Sequence, residues 1–575
     1  MSRVDLLDWR VEDNQFWEST GKKIALRNIL ISIPSLLCGF AVWLMWGIII
    51  VQMGKVGFKF DVDPEANKNL LPILMIIAGL SGATLRIPST FFIRLAGGRN
   101  TIFYTTSLLL IPAFGAAIAL MYKTDVTTGV GTPFWVFQVL ALTSGFGGGN
   151  FASSMSNISF FFPKKVQGTS LGFNAGIGNF GVSVMQFGIP IIITSGFVAS
   201  WIGADVLKLL APSGHAFKTF PAGSLTYISN AGWMWVIPLV ILGILGFIWM
   251  NNIKTQAVSP DIKGALGAIG KITLLLIFGF IFAAIGLYFI LPPKTPWGIK
   301  VASWAGENIL KNSWLWLFGF IIPGTVLAMR YLVPFSSIRE SLKRQYRIFH
   351  EKPMAKHTWA MTIIYTMTFG SFIGYAAAFP FTINNVFGFV HDPITGQGIM
   401  NPALWEQVSN VNGPSALQFA WIGAFIGSLI RPIGGYISDK LGGARVTEWI
   451  AIGMVIFAIG VGFFMDRAYH SPTPETEFVA FFILFLLLFA MTGIGNGSTF
   501  RTIGVAFNEE QAGPVLGWTS AVAAYGAFLI PNTFNKQIAA GTPFNALIGF
   551  AAFYFICILI NRWFYLRKNA YIKNP

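Results

Sequence analysis

Arg86 and Arg431 stand inside long apolar runs, in TLRIPSTF and LIRPIGGY, with no Asp or Glu at matching depth. A guanidinium cannot escape burial by losing its proton, and holding one at mid-bilayer costs at least ~2.5 kcal/mol. A fixed carboxylate would be the usual compensation. Where none exists, two buried positive charges call for a mobile anion, the alternative being that both arginines bond only backbone carbonyls or line water. The forked donors suit a planar oxyanion bound bidentately, such as nitrate, nitrite or a carboxylate.

The elements that must hold these arginines are membrane helices. The 575 residues are 54% hydrophobic and only 11% charged, whereas soluble domains carry about 25% charged residues. Apolar runs fall at 28–53, 70–94, 101–121, 133–161, 168–196 and 232–250, then at 269–291 and 313–333. Six more follow at 357–386, 416–437, 446–465, 478–507, 515–534 and 545–565. The count is about fourteen spans.

These runs divide the chain into an N-terminal segment (1–27), a first six-helix half (28–250) and a central insert (251–356) of two spans and a basic linker. A second six-helix half (357–566) and a short tail (567–575) complete it.

The net charge of +16 resides in loops, without a basic stripe interleaved with stacking aromatics, which excludes a nucleic-acid groove. Lys and Arg concentrate on the side holding both termini, which predicts cytoplasmic termini. The densest cluster, Arg339 to Lys356, reads as an anchor at lipid headgroups. Cys38 and Cys557 lie in apolar spans far apart, so no disulfide framework, metal site or cofactor is indicated. No nucleophile with a partner base appears in any span, which argues against an enzyme.

The two halves repeat each other at an offset of about 345 residues. LRIPSTFFIRLAGGR from Leu85 returns as IRPIGGYISDKLGGAR from Ile430, GFGGGNF from Gly145 as GIGNGSTF from Gly493, and GTSLGF from Gly168 as GPVLGW from Gly513. Parallel repeats are related by an axis along the membrane normal, with a site between them near the midplane. Arg86 and Arg431 are aligned by the repeat, so each should project from its own half toward a shared cavity.

Gly145, Gly147, Gly148 and Gly149 in the first block, Gly176 and Gly178 in GFNAGIGNFG, and Gly493, Gly495 and Gly497 in the second block read as helix-packing positions. Close approach favours a narrow site for a small anion. Asn179 either donates to that anion or bonds across helices.

GFGGGNFASSMSNISFFFPKK and LGFNAGIGNFGVSVMQ resemble the first signature of the NarK-type nitrate/nitrite porters of the major facilitator superfamily, and GIGNGSTF resembles the second. The resemblance extends to WRVEDNQFWESTGKKIALRNILIS, TLRIPSTF, TFGSFIGYAAAF and GGYISDKLGGARVT. It implies an all-α major facilitator fold with two parallel six-helix repeats, here carrying two extra helices between them. It places Arg86 and Arg431 on the nitrate-binding arginines, with Tyr365 and Asn179 as hydrogen-bond donors and Phe151 and Phe369 sandwiching the flat anion. It sets Asp439 and Arg445 in a cytoplasmic loop motif, where they join loops and helix ends in one gating state, and it sets an uncharged residue where Arg501 stands.

The expected protein is therefore a monomeric transporter in a bacterial cytoplasmic membrane. Its partners are nitrate, nitrite and membrane lipid, and it exchanges the two anions by alternating access. A proton-coupled nitrate importer and a small-anion channel are the competing expectations.

Overall fold

The computed structural model describes residues 5–62, 64–254, 264–290, 313–395, 398–401 and 406–575. It is a helical bundle whose strands are confined to four two-stranded pairs. The first six long helices are α1 (Asn14–Leu44), α2 (Leu70–Ser89), α3 (Gly98–Ala119), α4 (Phe134–Phe161), α5 (Ser170–Trp201) and α6 (Asn230–Trp249). Two more follow, α7 (Gly264–Phe289) and α8 (Ser313–Tyr331). The last six are α9 (Met354–Phe387), α10 (Ala416–Leu441), α11 (Gly443–Tyr469), α12 (Pro474–Ala506), α13 (Gln511–Ala539) and α14 (Phe544–Leu566).

Thirteen of these, among the described residues, are long and apolar enough to cross a membrane by length and composition. The fourteenth expected span, α4, is 28 residues long. It falls short only in hydropathy, because glycine, serine and asparagine replace aliphatic side chains where it packs inside the bundle. The first helix also begins earlier than the apolar run at 28 suggests. The Asp13 carboxylate accepts the backbone N–H groups of Gln15 and Phe16 and caps a polar helical entry.

The two halves meet along two seams. On one, α2 and α13 touch: Thr84 Oγ1 and Tyr525 OH share a 2.9 Å hydrogen bond, and Gly79 lies directly on the carbonyl of Ala527. On the other, α5 meets α10. There Ser183 Oγ donates to the Trp421 carbonyl at 3.0 Å, and the Phe187 and Trp421 rings lie 5.2 Å apart.

The sequence left open what α7 and α8 pack against. Gly279 and Gly286 of α7 lie on Leu85, Pro88 and Leu80 of α2. On α8, Ser313 Oγ accepts from Asn532 Nδ2 at 2.9 Å, and Trp316 meets Phe528 at 5.4 Å, both on α13. The pair is joined by Phe282 with Phe320 and by Phe289 with Trp316. The inserted helices thus cover the α2/α13 seam from outside, one leaf on each half.

Candidate anion-binding site

The glycine blocks set the depth of the arginines. A Cβ on Gly148 would sit 2.5 Å from Gly82 Cα and 2.7 Å from Gly82 O, and one on Gly145 would overlap Ser81 and Gly82. Only glycine allows α4 to lie this close to α2. The second half repeats the device. A Cβ on Gly497 would sit 2.5 Å from Gly435 N and 2.6 Å from Arg431 O, and Gly493 faces Gly427 O and Ile430. Gly147 packs on Gly39, Gly149 on Ser89, Gly178 on Leu36 and Gly495 on Thr368. Gly176 differs: its nearest neighbour, Ser428 O in the other half, is at an ordinary 3.6 Å.

Arg86 is fully buried and Arg431 is 2% exposed. Arg86 Nε donates to the Gly148 carbonyl at 2.6 Å, and its Nη1 reaches the Ser520 carbonyl of α13 at 3.3 Å. Its Nη2 has no partner. Arg431 Nε bonds the Gly427 carbonyl at 3.3 Å, while Nη1 and Nη2 are both without partners. No carboxylate among the described residues pairs with either. The deepest acid nearby in sequence, Glu448, is held by Arg562 at 2.8 Å and by Asn561 at 3.0 Å.

Aromatic rings supply what the carbonyls do not. The Arg86 guanidinium carbon lies 5.0 Å from the Phe151 centroid, 5.2 Å from Phe369 and 5.3 Å from Trp43; that of Arg431 lies 4.2 Å from Phe372 and 5.9 Å from Phe369. Both guanidiniums therefore lie within 6 Å of the Phe369 ring, Arg86 at 5.2 Å and Arg431 at 5.9 Å.

Tyr365, Phe369 and Phe372 share one face of α9 through a π-helical turn at Thr366–Gly370, a distortion common at functional sites. The Tyr365 and Phe369 rings stack at 5.4 Å and 6°. The Tyr365 hydroxyl is buried without a partner. Three guanidinium nitrogens and one phenol are thus donors with nothing to donate to, in a place with no internal anion. Leaving a buried donor unpaired costs about 1–3 kcal/mol, more for a charged one, so these four groups concentrate unmet donor capacity in one place.

The aromatic pair and Asn179 take specific positions in this conformation. Phe151 and Phe369 do not form a sandwich with a gap: the rings stack on each other at 5.3 Å and 19°, less than the ~7 Å that two ring-to-anion contacts of ~3.5 Å require. In this conformation an anion would meet their edges, which carry positive quadrupole charge. Asn179, fully buried, donates Nδ2 to Ala175 O at 2.7 Å and leaves its carbonyl oxygen unpartnered, so only one amide N–H is free for an anion.

In this conformation Asp439 and Arg445 each take another partner. Asp439 Oδ1 lies 3.2 Å from Arg501 Nε, and the backbone N–H of Arg445 bonds Asn574 Oδ1 at 3.0 Å. The close contact of Gly435 with Gly497 explains this, because Asp439 and Arg501 each stand four residues further along their helices, one turn beyond that contact. Arg445 lies past the turn at Gly442, whose φ is +87°. The pair is 40% and 65% exposed. Arg501→Gln should change stability by less than ~1 kcal/mol and leave transport within about threefold of wild type, as measured by thermal shift and anion uptake. A tenfold loss of transport would place Arg501 on the anion's path instead.

Sequence reasoning missed Trp43, Phe372 and the Ser520 carbonyl. Phe372 was findable, being three residues from Phe369 and seven from Tyr365 on one helical face. Trp43 and Ser520 carry no local signal.

Two six-helix groups around a buried, donor-rich site have the fold of the major facilitator class. Solved structures with this fold include the xylose transporter XylE from E. coli in a partially occluded inward-open conformation. Its TM-score is 0.53 at 14% identity, covering 94% of this chain and 97% of that one. The human organic anion transporter MFSD10 has a TM-score of 0.51 at 11% identity, covering 93% and 99%.

No protein-family model matches the chain. The nitrate/nitrite transporter NarU of Escherichia coli (strain K12) is 31% identical, covering 99% of this chain and 97% of that protein. The probable nitrate/nitrite antiporter NarK2 of Thermus thermophilus is 32% identical, covering 98% and 97%. The chain belongs to this nitrate/nitrite transporter family, and as a member it is a transporter rather than an enzyme.

Proposed function

We propose that the protein exchanges nitrate and nitrite across a bacterial cytoplasmic membrane by alternating access, with both termini on the cytoplasmic side. The observation that carries this reading is the set of partnerless donors, Arg86 Nη2, Arg431 Nη1 and Nη2 and Tyr365 OH, around one aromatic ring. Nitrate and nitrite are small, flat and rich in acceptor oxygens. They match one guanidinium fork, that of Arg431, joined by the single free nitrogen of Arg86 from the opposite half. The names of the relatives, which include transporters and antiporters of these two anions, support the same choice.

A bound anion neutralises the two guanidiniums and lets the halves close over them. Closure without one would hold two like charges in a dry space, where their repulsion is strongest. The carrier therefore returns loaded, and exchange follows. The test is counterflow in proteoliposomes. Nitrite loaded inside should raise the initial rate of nitrate uptake at least about tenfold over anion-free vesicles, with no change of lumenal pH. Uptake indifferent to internal nitrite would make the protein a uniporter or channel, and acidification of the lumen would make it a proton-coupled importer.

A further inference from the structure

The segment between α8 and α9 joins both halves at one end of the α2/α13 seam. A short helix, Ser336–Gln345, buries Ile338 and Leu342 and turns Lys343 and Arg344 outward. Beyond it, Tyr346 packs its ring on Phe91, just past α2, at 5.2 Å. Phe349 packs on Trp518 of α13 at 4.6 Å. One linker thus touches the first half through Tyr346 and the second through Phe349.

Its outer surface is basic. Lys343, Arg344, Lys352 and Lys356 are exposed, against Glu340 and Glu351, the latter already paired with Arg347. Immediately before the helix, where α8 leaves the membrane at Tyr331, three apolar side chains are exposed: Tyr331 at 65%, Leu332 at 68% and Phe335 at 58%. A basic, amphipathic helix preceded by exposed aromatics at the end of a membrane span has the chemistry of a bilayer interface, with apolar side chains among acyl chains and ammonium groups at headgroup level.

We infer that this linker is a docking surface for anionic lipid headgroups, and that lipid bound there acts on anion exchange because the same segment bridges the two moving halves. A neutral headgroup offers no net charge to these lysines, whereas each basic residue at an anionic surface is worth about fivefold in binding. The occupant is lipid rather than an acidic protein because the exposed apolar side chains continue the surface of α8 directly into the bilayer.

The test compares wild type with the combined variant Lys343→Gln, Arg344→Gln, Lys352→Gln and Lys356→Gln, and with a control in which the three lysines become arginine. Each is purified from membranes, washed in neutral detergent and assayed for retained phosphatidylglycerol by mass spectrometry, a readout that needs no nitrate. The glutamine variant should lose at least about tenfold in retained lipid, and the arginine control should match wild type. Anion counterflow is then measured in phosphatidylcholine vesicles and in equal mixtures of phosphatidylcholine and phosphatidylglycerol. Wild-type rates should differ at least about threefold between the two, and those of the glutamine variant should not. Equal lipid retention by wild type and the glutamine variant, or a wild-type rate indifferent to phosphatidylglycerol, overturns the proposal.

Discussion

Arg431→Lys is expected to slow nitrate exchange about 100-fold, a loss of ~3 kcal/mol, while leaving the protein folded. Arg431 spends only Nε on the protein, at Gly427 O, and offers both terminal nitrogens as a parallel pair. Lysine keeps the charge but supplies a single point donor in place of the fork, and it loses the guanidinium contact with the Phe372 ring at 4.2 Å. Arg86→Lys should be as inactive for a different reason. Nε and Nη1 of Arg86 hold Gly148 O and Ser520 O, so lysine there also breaks a link between α2, α4 and α13. Uptake of labelled nitrate by each purified variant checks both: wild-type rates in Arg431→Lys would remove the fork from the site, and wild-type rates in Arg86→Lys would make the link between α2, α4 and α13 dispensable.

Gly148→Ala should cost roughly 3 kcal/mol of stability and abolish transport. The new Cβ would fall 2.5 Å from Gly82 Cα and 2.7 Å from Gly82 O, and backbone cannot step aside as a flexible side chain can. Helices α2 and α4 must separate, and Gly148 O leaves Arg86 Nε, 2.6 Å away. Gly176→Ala is the matched comparison. Its only close neighbour is at 3.6 Å, and alanine in a helix is favoured over glycine by about 1 kcal/mol. Its unfolding temperature in detergent should equal or exceed that of wild type, while that of Gly148→Ala falls. Equal temperatures for the two variants would mean that α2 and α4 are not held at this distance.

Several features of the site were legible from one-dimensional information because each obeys a local rule. Charge inside an apolar run marked Arg86 and Arg431. The repeated blocks paired them, and glycine spacing marked the faces on which their helices approach others. Periodicity along α9 places Tyr365, Phe369 and Phe372 on one face, although the π-helical turn that completes the stack has no signature in residue order.

Amino-acid order by itself determined that this chain lives in lipid, that it is a doubled six-helix unit, and that two guanidiniums are left without internal counter-charge. Those conclusions rest on composition, period and the absence of carboxylates, all properties of the chain taken alone. Only the tertiary structure decided which nitrogens stay free, that Phe369 lies near both arginines and that Phe151 and Phe369 lie against each other. It also decided that Asp439 meets Arg501 instead of Arg445, and that α7 and α8 cover the α2/α13 seam. Each of these depends on contacts between residues far apart in the chain, where helix register to within one turn sets the partner, and no local pattern of residues encodes that register.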